Sequence, residues 1–168
     1  TVTRNENADN SSGLPGVDTG PGLPEAEQQQ AAPAAQQTAA SGSESDSYQI
    51  AYNHVLSGDY ALAEQEFTRY LGDYPEGACA ADASFWLGEA QYSQGKFNES
   101  AKTFLNAHQT YNKSAKAPEM LLKLGMSLAA LDNTETACAT MREVPKRYPK
   151  APRAVLNKVS SEVKRLGC

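Results

Sequence analysis

Apolar and polar positions follow two regimes along this chain. Up to residue 46 apolar side chains are sparse and follow no period. From Ser47 onward they recur at the three-to-four spacing of an amphipathic helix. The second regime predicts seven helices, over about 47–57, 60–73, 80–94, 97–110, 117–131, 134–147 and 151–166. The helices also repeat one another. Gly58, Gly95 and Asp132 stand 37 residues apart, as do Tyr60, Phe97 and Thr134. Ala63, Ser100 and Ala137 keep the same step, and so do Phe67, Phe104 and Met141. The register closes on Tyr74-Pro75, Tyr111-Asn112 and Tyr148-Pro149. A unit of this length is a helix pair that cannot bury its apolar face alone, so successive pairs stack into an α-solenoid. The expected fold is therefore all-α. Three helix pairs, at about 45–75, 82–112 and 119–149, precede a capping helix at 151–166. Together they form a domain over 47–168, behind a disordered linker over 1–46. Arrays of this kind present a surface rather than a reaction centre, which points to a binding scaffold.

Local signals refine the pattern. Gly58-Asp59, Gly95-Lys96 and Asp132-Asn133 are expected to make the tight turn inside each pair. Glycine tolerates a left-handed backbone there, and Asp or Asn tolerates it next best. Pro118 and Pro152 are expected in first turns, where a missing N–H costs nothing. Pro145 is expected to kink the sixth helix or end it early.

Composition separates the two regimes further. Residues 1–46 contain no Phe, Tyr, Trp, Ile or Met, and carry one basic residue against seven acidic ones. So little apolar surface cannot offset an ordering entropy of about 1–2 kcal/mol per residue, hence the linker reading. Gly13-Leu14-Pro15-Gly16, Gly20-Pro21-Gly22 and the Ala/Gln run around Pro33 fit a tether and spacer. The helical part is polarised, with seven acids against one base from Tyr48 to Ala90 and eleven bases against five acids from Lys113 to Cys168. The basic half lacks the glycine and aromatic interleaving of a nucleic-acid module, so no nucleic acid is expected. No run approaches the roughly 20 apolar residues that span a bilayer, so no membrane insertion is expected. The start shows no charged segment followed by an apolar one, as an uncleaved signal peptide would.

No catalytic constellation is found, and neither enzyme activity nor a cofactor is expected. His54 and His108 lie in different repeats, and His54 falls in the packing column of Gln91 and Leu128. No CxxC, HExxH or phosphate-binding glycine loop occurs, so no metal is expected either.

The columns resemble the tetratricopeptide repeat, which sets small residues where paired helices approach and aromatics where they interlock. The second unit reads Leu87-Gly88, Gly95, Phe97, Ser100, Phe104 and Ala107. The string resembles a narrower family as well. The Tyr-Pro endings, Phe85-Trp86-Leu87-Gly88-Glu89 and the stretch from Ser114 through Pro118 into Leu121–Leu128 look like the C-terminal domain of the periplasmic, Tol-Pal-associated CpoB/YbgF family. Ala137-Cys138-Ala139 and the closing Gly167-Cys168 fit its alphaproteobacterial form. The likeness covers residues 48–168.

The resemblance implies a periplasmic cell-division adaptor. It would bind TolA and other Tol-Pal or peptidoglycan-synthesis proteins, coordinating outer-membrane constriction with septal peptidoglycan synthesis. The alternative is another envelope tetratricopeptide scaffold, such as an outer-membrane assembly lipoprotein. The family also carries an N-terminal trimeric coiled coil, so a homo-oligomer formed through that segment is an expectation of the resemblance alone.

In such arrays the first helix of each pair lines a concave face. That places Tyr48, Tyr52 and Val55, then Phe85, Glu89 and Tyr92, then Leu122, Met126 and Ala129 toward a partner. Packing between repeats is the competing reading of the same side chains. Tyr52, Glu89, Tyr92 and Met126 are the preferred contacts, while Tyr60, Phe67, Trp86, Phe97 and Phe104 are assigned to the core. The periplasmic resemblance also favours a Cys138–Cys168 disulfide, which is reachable if the chain turns back at Gly167. Three idle thiols are the cytosolic alternative.

Overall fold

The structure is a computed structural model that describes residues 43–168. The described residues form seven helices and no strand: α1 Glu44–Leu56, α2 Tyr60–Asp73, α3 Ala80–Ser93, α4 Phe97–Thr110, α5 Ala117–Ala130, α6 Thr134–Arg147 and α7 Arg153–Arg165. The expected linker lies outside the described residues except for its last four. These are a correction: residues 43–46 cap and begin α1. Ser43 Oγ accepts from the Asp46 N–H at 3.2 Å, and the Asp46 carboxylate accepts from the Ser43 N–H at 3.3 Å. This reciprocal capping satisfies two amides that would otherwise be orphaned.

Each pair turns as its sequence predicts. Gly58 and Gly95 both take φ +78°, and Asp132 takes the equivalent place at φ +62°. Pro118 lies in the first turn of α5, whereas Pro152 is the N-cap residue of α7. Pro145 does not end α6 early, one of the two outcomes expected of it, for the helix runs on to Arg147 as the apolar spacing predicts. Pro145 itself is exposed, while Met141 and Val144 beside it are fully buried. Their packing holds the last turn in register without the bond proline removes. The Tyr148 N–H then closes the helix on the Val144 carbonyl at 2.8 Å.

Successive helices pack antiparallel, and the first helices of the pairs also touch: α1 meets α3, α3 meets α5, and α5 meets α7. No such contact joins α2, α4 and α6 to one another. The array therefore curves with α1, α3, α5 and α7 on the inside. Two apolar clusters fill it. One centres on Ala51, Phe67 and Tyr70, the other on Phe85, Phe104, Met120, Met141 and Val155. Small residues let the paired helices approach. A methyl placed on Gly88 would lie 2.6 Å from the Phe104 ring, and one on Gly125 would lie 2.6 Å from Met141 Cγ. A buried hydroxyl chain ties the second pair to the third. Ser100 Oγ donates to the Gly88 carbonyl at 3.0 Å and shares a bond with Ser127 Oγ at 2.9 Å.

The capping helix α7 packs on α5 and α6, where the first helix of a fourth pair would sit. Its end is tied down covalently, because Cys138 in α6 is joined to Cys168 by a disulfide with Cα atoms 5.9 Å apart. Gly167 makes the turn that brings Cys168 back, at φ +74°. The Arg142 guanidinium donates to the Cys168 carbonyl on the same side.

Candidate interaction face

The inner face begins at α1, the first helix of the array. In α1, Tyr48 and Tyr52 stack with nearly parallel rings, centroids 6.1 Å apart. Tyr48 also presents an edge to Phe67 and Tyr70, and burial pushes its phenol pKa up to about 12. Tyr52 meets the Trp86 ring of α3 edge to face at 5.3 Å. Lys116, at the start of α5, places its ammonium over Trp86 at 5.3 Å and over Phe85 at 4.7 Å. One ridge of aromatic rings closed by a cation thus crosses all three pairs.

A second charged crossing lies further along the helices. Lys123 Nζ of α5 stands 3.1 Å from Glu89 Oε1 of α3 and 6.0 Å from the Tyr92 ring centroid. That glutamate oxygen is closed off from solvent and has no hydrogen-bond donor aligned on it, so the lysine attraction is ionic rather than a formed hydrogen bond. Met126 is half-buried beside this crossing on the same helix. Between α5 and α7 a depression of about 240 Å³ is lined by Leu122, Val155 and the charged heads of Glu119, Lys123 and Lys158.

Six of the eight side chains expected at the face are half-buried: Tyr48, Tyr52, Val55, Glu89, Tyr92 and Met126. The other two are corrections. Phe85 is 2 % exposed and packs on Phe104, and Leu122 is 3 % exposed in the same core cluster. Each is covered by helices that exist only in the assembled array, which leaves neither free as a direct contact. Three residues assigned to the core, Tyr60, Trp86 and Phe97, are instead half-buried, while Phe67 and Phe104 are fully buried. In the second and third pairs the covered positions Phe85 and Leu122 are replaced at the face by their next neighbours, Trp86 and Lys123. The lysines were not anticipated. Their one sequence signal was that Lys123 stands in the 37-residue column of Trp86.

Among the described residues no group of three or more His, Cys, Asp or Glu side chains is gathered to hold a metal ion. Among them also, no helix is long and apolar enough to cross a membrane. Cys79 is a half-buried free thiol at the start of α3, away from the disulfide. His108 is buried and shares a hydrogen bond with the Tyr148 hydroxyl at 2.8 Å.

Comparison with known proteins agrees with this architecture. No curated protein matches the chain. One tetratricopeptide-repeat model matches residues 48–118 and a second matches residues 119–151. The two abut without a gap, in the first turn of α5, and together cover most of the chain. With its stacked helix pairs and its left-handed turn in each, the chain belongs to the tetratricopeptide-repeat family, whose arrays mediate contacts between proteins.

Proposed function

We propose that this protein is a periplasmic adaptor of the Tol-Pal system. It takes a segment of TolA on the inner face of the array and helps coordinate outer-membrane constriction with septal peptidoglycan synthesis. The observation that carries the reading is the string-level likeness to the CpoB/YbgF family over residues 48–168. The Cys138–Cys168 disulfide supports the compartment, since such bonds persist in the periplasm and are rare in the cytosol. The chemistry of the face supports the mode. Aromatic and Met side chains interrupted by lysines suit an apolar helix or extended peptide that carries acidic residues.

A pull-down with the periplasmic region of TolA tests the partner, and cell fractionation tests the location. Tyr52→Ala and Tyr92→Ala should each weaken the complex by about 1–2 kcal/mol, as aromatic anchors at an interface do, with helical circular dichroism unchanged. Leu105→Ala, on the exposed surface of α4, should be neutral. Normal binding by both tyrosine variants, with loss on changing Leu105, would move the contact to the outer surface.

A further inference from the structure

The loops that join one repeat to the next lie in 37-residue register, and their charge changes sign along the array. The first junction holds Asp73 and Glu76, the second Thr110 and Lys113, and the third Arg147 and Lys150. The second and third loops enclose a cleft of about 490 Å³ with these three cations along it. Its floor is apolar and stiff, formed by Tyr148 with Pro118 and Pro152. None of its lining residues belongs to the inner face.

Several features make the cleft a prepared site for negative charge. Lys113 and Lys150 are exposed, and neither pairs with a carboxylate among the described residues. Arg147 is held by Glu143, with Nε 3.2 Å from the carboxylate. Helix α7 begins at the cleft with neither a side-chain cap nor an acidic residue in its first turn, which adds the positive end of its dipole, whereas Glu119 offsets that of α5. The walls are braced as well. The Tyr148 hydroxyl donates to the Asn112 carbonyl at 2.9 Å and is shared with His108 Nε2 at 2.8 Å, linking the two loops.

We infer that this cleft binds an acidic, extended peptide. The carboxylates would meet Lys113 and Lys150, and a prolyl or small aliphatic side chain between them would cover the Tyr148 and proline floor. A lone anion would leave that floor bare, and the volume falls in the range of roughly 300–1,000 Å³ typical of pockets that enclose a ligand. Proline and tyrosine floors suit extended chains, whose backbone is already close to the bound form. The charge-assisted bonds at the rim would set specificity for acidic residues.

The test uses the whole chain and a fluorescein-labelled peptide of alternating glutamate and proline, followed by fluorescence anisotropy at low ionic strength. Binding should be saturable. The double variant Lys113→Gln/Lys150→Gln should weaken it by about tenfold or more, with unchanged circular dichroism and melting, since both side chains are at the rim. Tyr92→Ala should leave it unchanged, which separates this site from the inner face. A glutamine–proline peptide should not bind. Equal affinity for the double variant, equal affinity for the neutral peptide, or no saturable binding would each overturn the inference. So would displacement of the peptide by inorganic phosphate at matching concentration, which would reduce the cleft to a simple anion site.

Discussion

Gly58, Gly95 and Asp132 share one left-handed turn, and only the glycines enter it without steric cost. Asp132→Gly should therefore raise stability by about 0.5–1 kcal/mol, the relief of the strained backbone less the extra unfolded-state freedom of glycine. Denaturant unfolding measures the change, and a loss would mean that the aspartate side chain contributes more than its backbone costs. His108 offers a second residue-scale test. Burial, then the nearby Arg147, pushes its pKa below the ordinary 6.5. The folded state thus resists protonation more than the unfolded chain does. Its contribution is present above that value and is lost as pH falls toward the folded pKa. Stability should drop as pH falls through the ordinary histidine range around 6.5, and His108→Gln should flatten that drop. The acidic side chains with lowered pKa values titrate below this window, so an unchanged slope in the variant would count against His108.

Among the elements, α7 is the most dependent on its attachments. It packs only on α5 and α6, burying Val155 and Val159. Glu162 is 5 % exposed and is tolerated there because Lys158 approaches to 2.9 Å and Arg165 holds it from the following turn. The Cys138–Cys168 bridge closes a sequence separation of 30 residues. A loop of that length is worth about 3–4 kcal/mol in the chain-entropy model. Reduction should lower stability by roughly that amount, and hydrogen exchange should rise first in α7, which has neighbours on one side only. Amides of α7 that stay as protected as those of α5 after reduction would show that packing alone holds the cap. Non-reducing peptide mapping should find Cys79 as the thiol that reacts with a maleimide.

At the scale of the whole molecule, stability passes from pair to pair. Phe104 is fully buried, lies against Phe85 with centroids 5.8 Å apart, and fills the space that Gly88 leaves open. Phe104→Ala should cost about 3–5 kcal/mol. Because each repeat contacts only its neighbours, exchange should quicken in α3 through α6 more than in α1. A loss below about 1 kcal/mol would place the ring outside the core.

The 37-residue period by itself determined the fold class, the helix order, the left-handed turns and one fully buried core column, that of Phe67, Phe104 and Met141. Backbone handedness and helical spacing are local properties, repeated here three times with the same residue types. The interaction face was only partly legible. Tyr48, Phe85 and Leu122 occupy one column yet differ in exposure, because exposure depends on what covers the helix. Tyr48 lies in the first helix of the array, while Phe85 and Leu122 are closed over by α4 and the packing around α7. Trp86 packs against both apolar clusters, as its core assignment expects, yet stays half-buried where it meets Tyr52 of the preceding pair. The lysine crossings, Glu89 to Lys123 and Lys116 over Trp86, join residues of different repeats whose pairing no local pattern encodes. The first turn of α1 hid in the acidic segment, since its capping depends on side-chain geometry rather than apolar spacing. Helical periodicity carries the direction in which each side chain leaves its own helix. Only the stacking of the helices decides what that side chain meets.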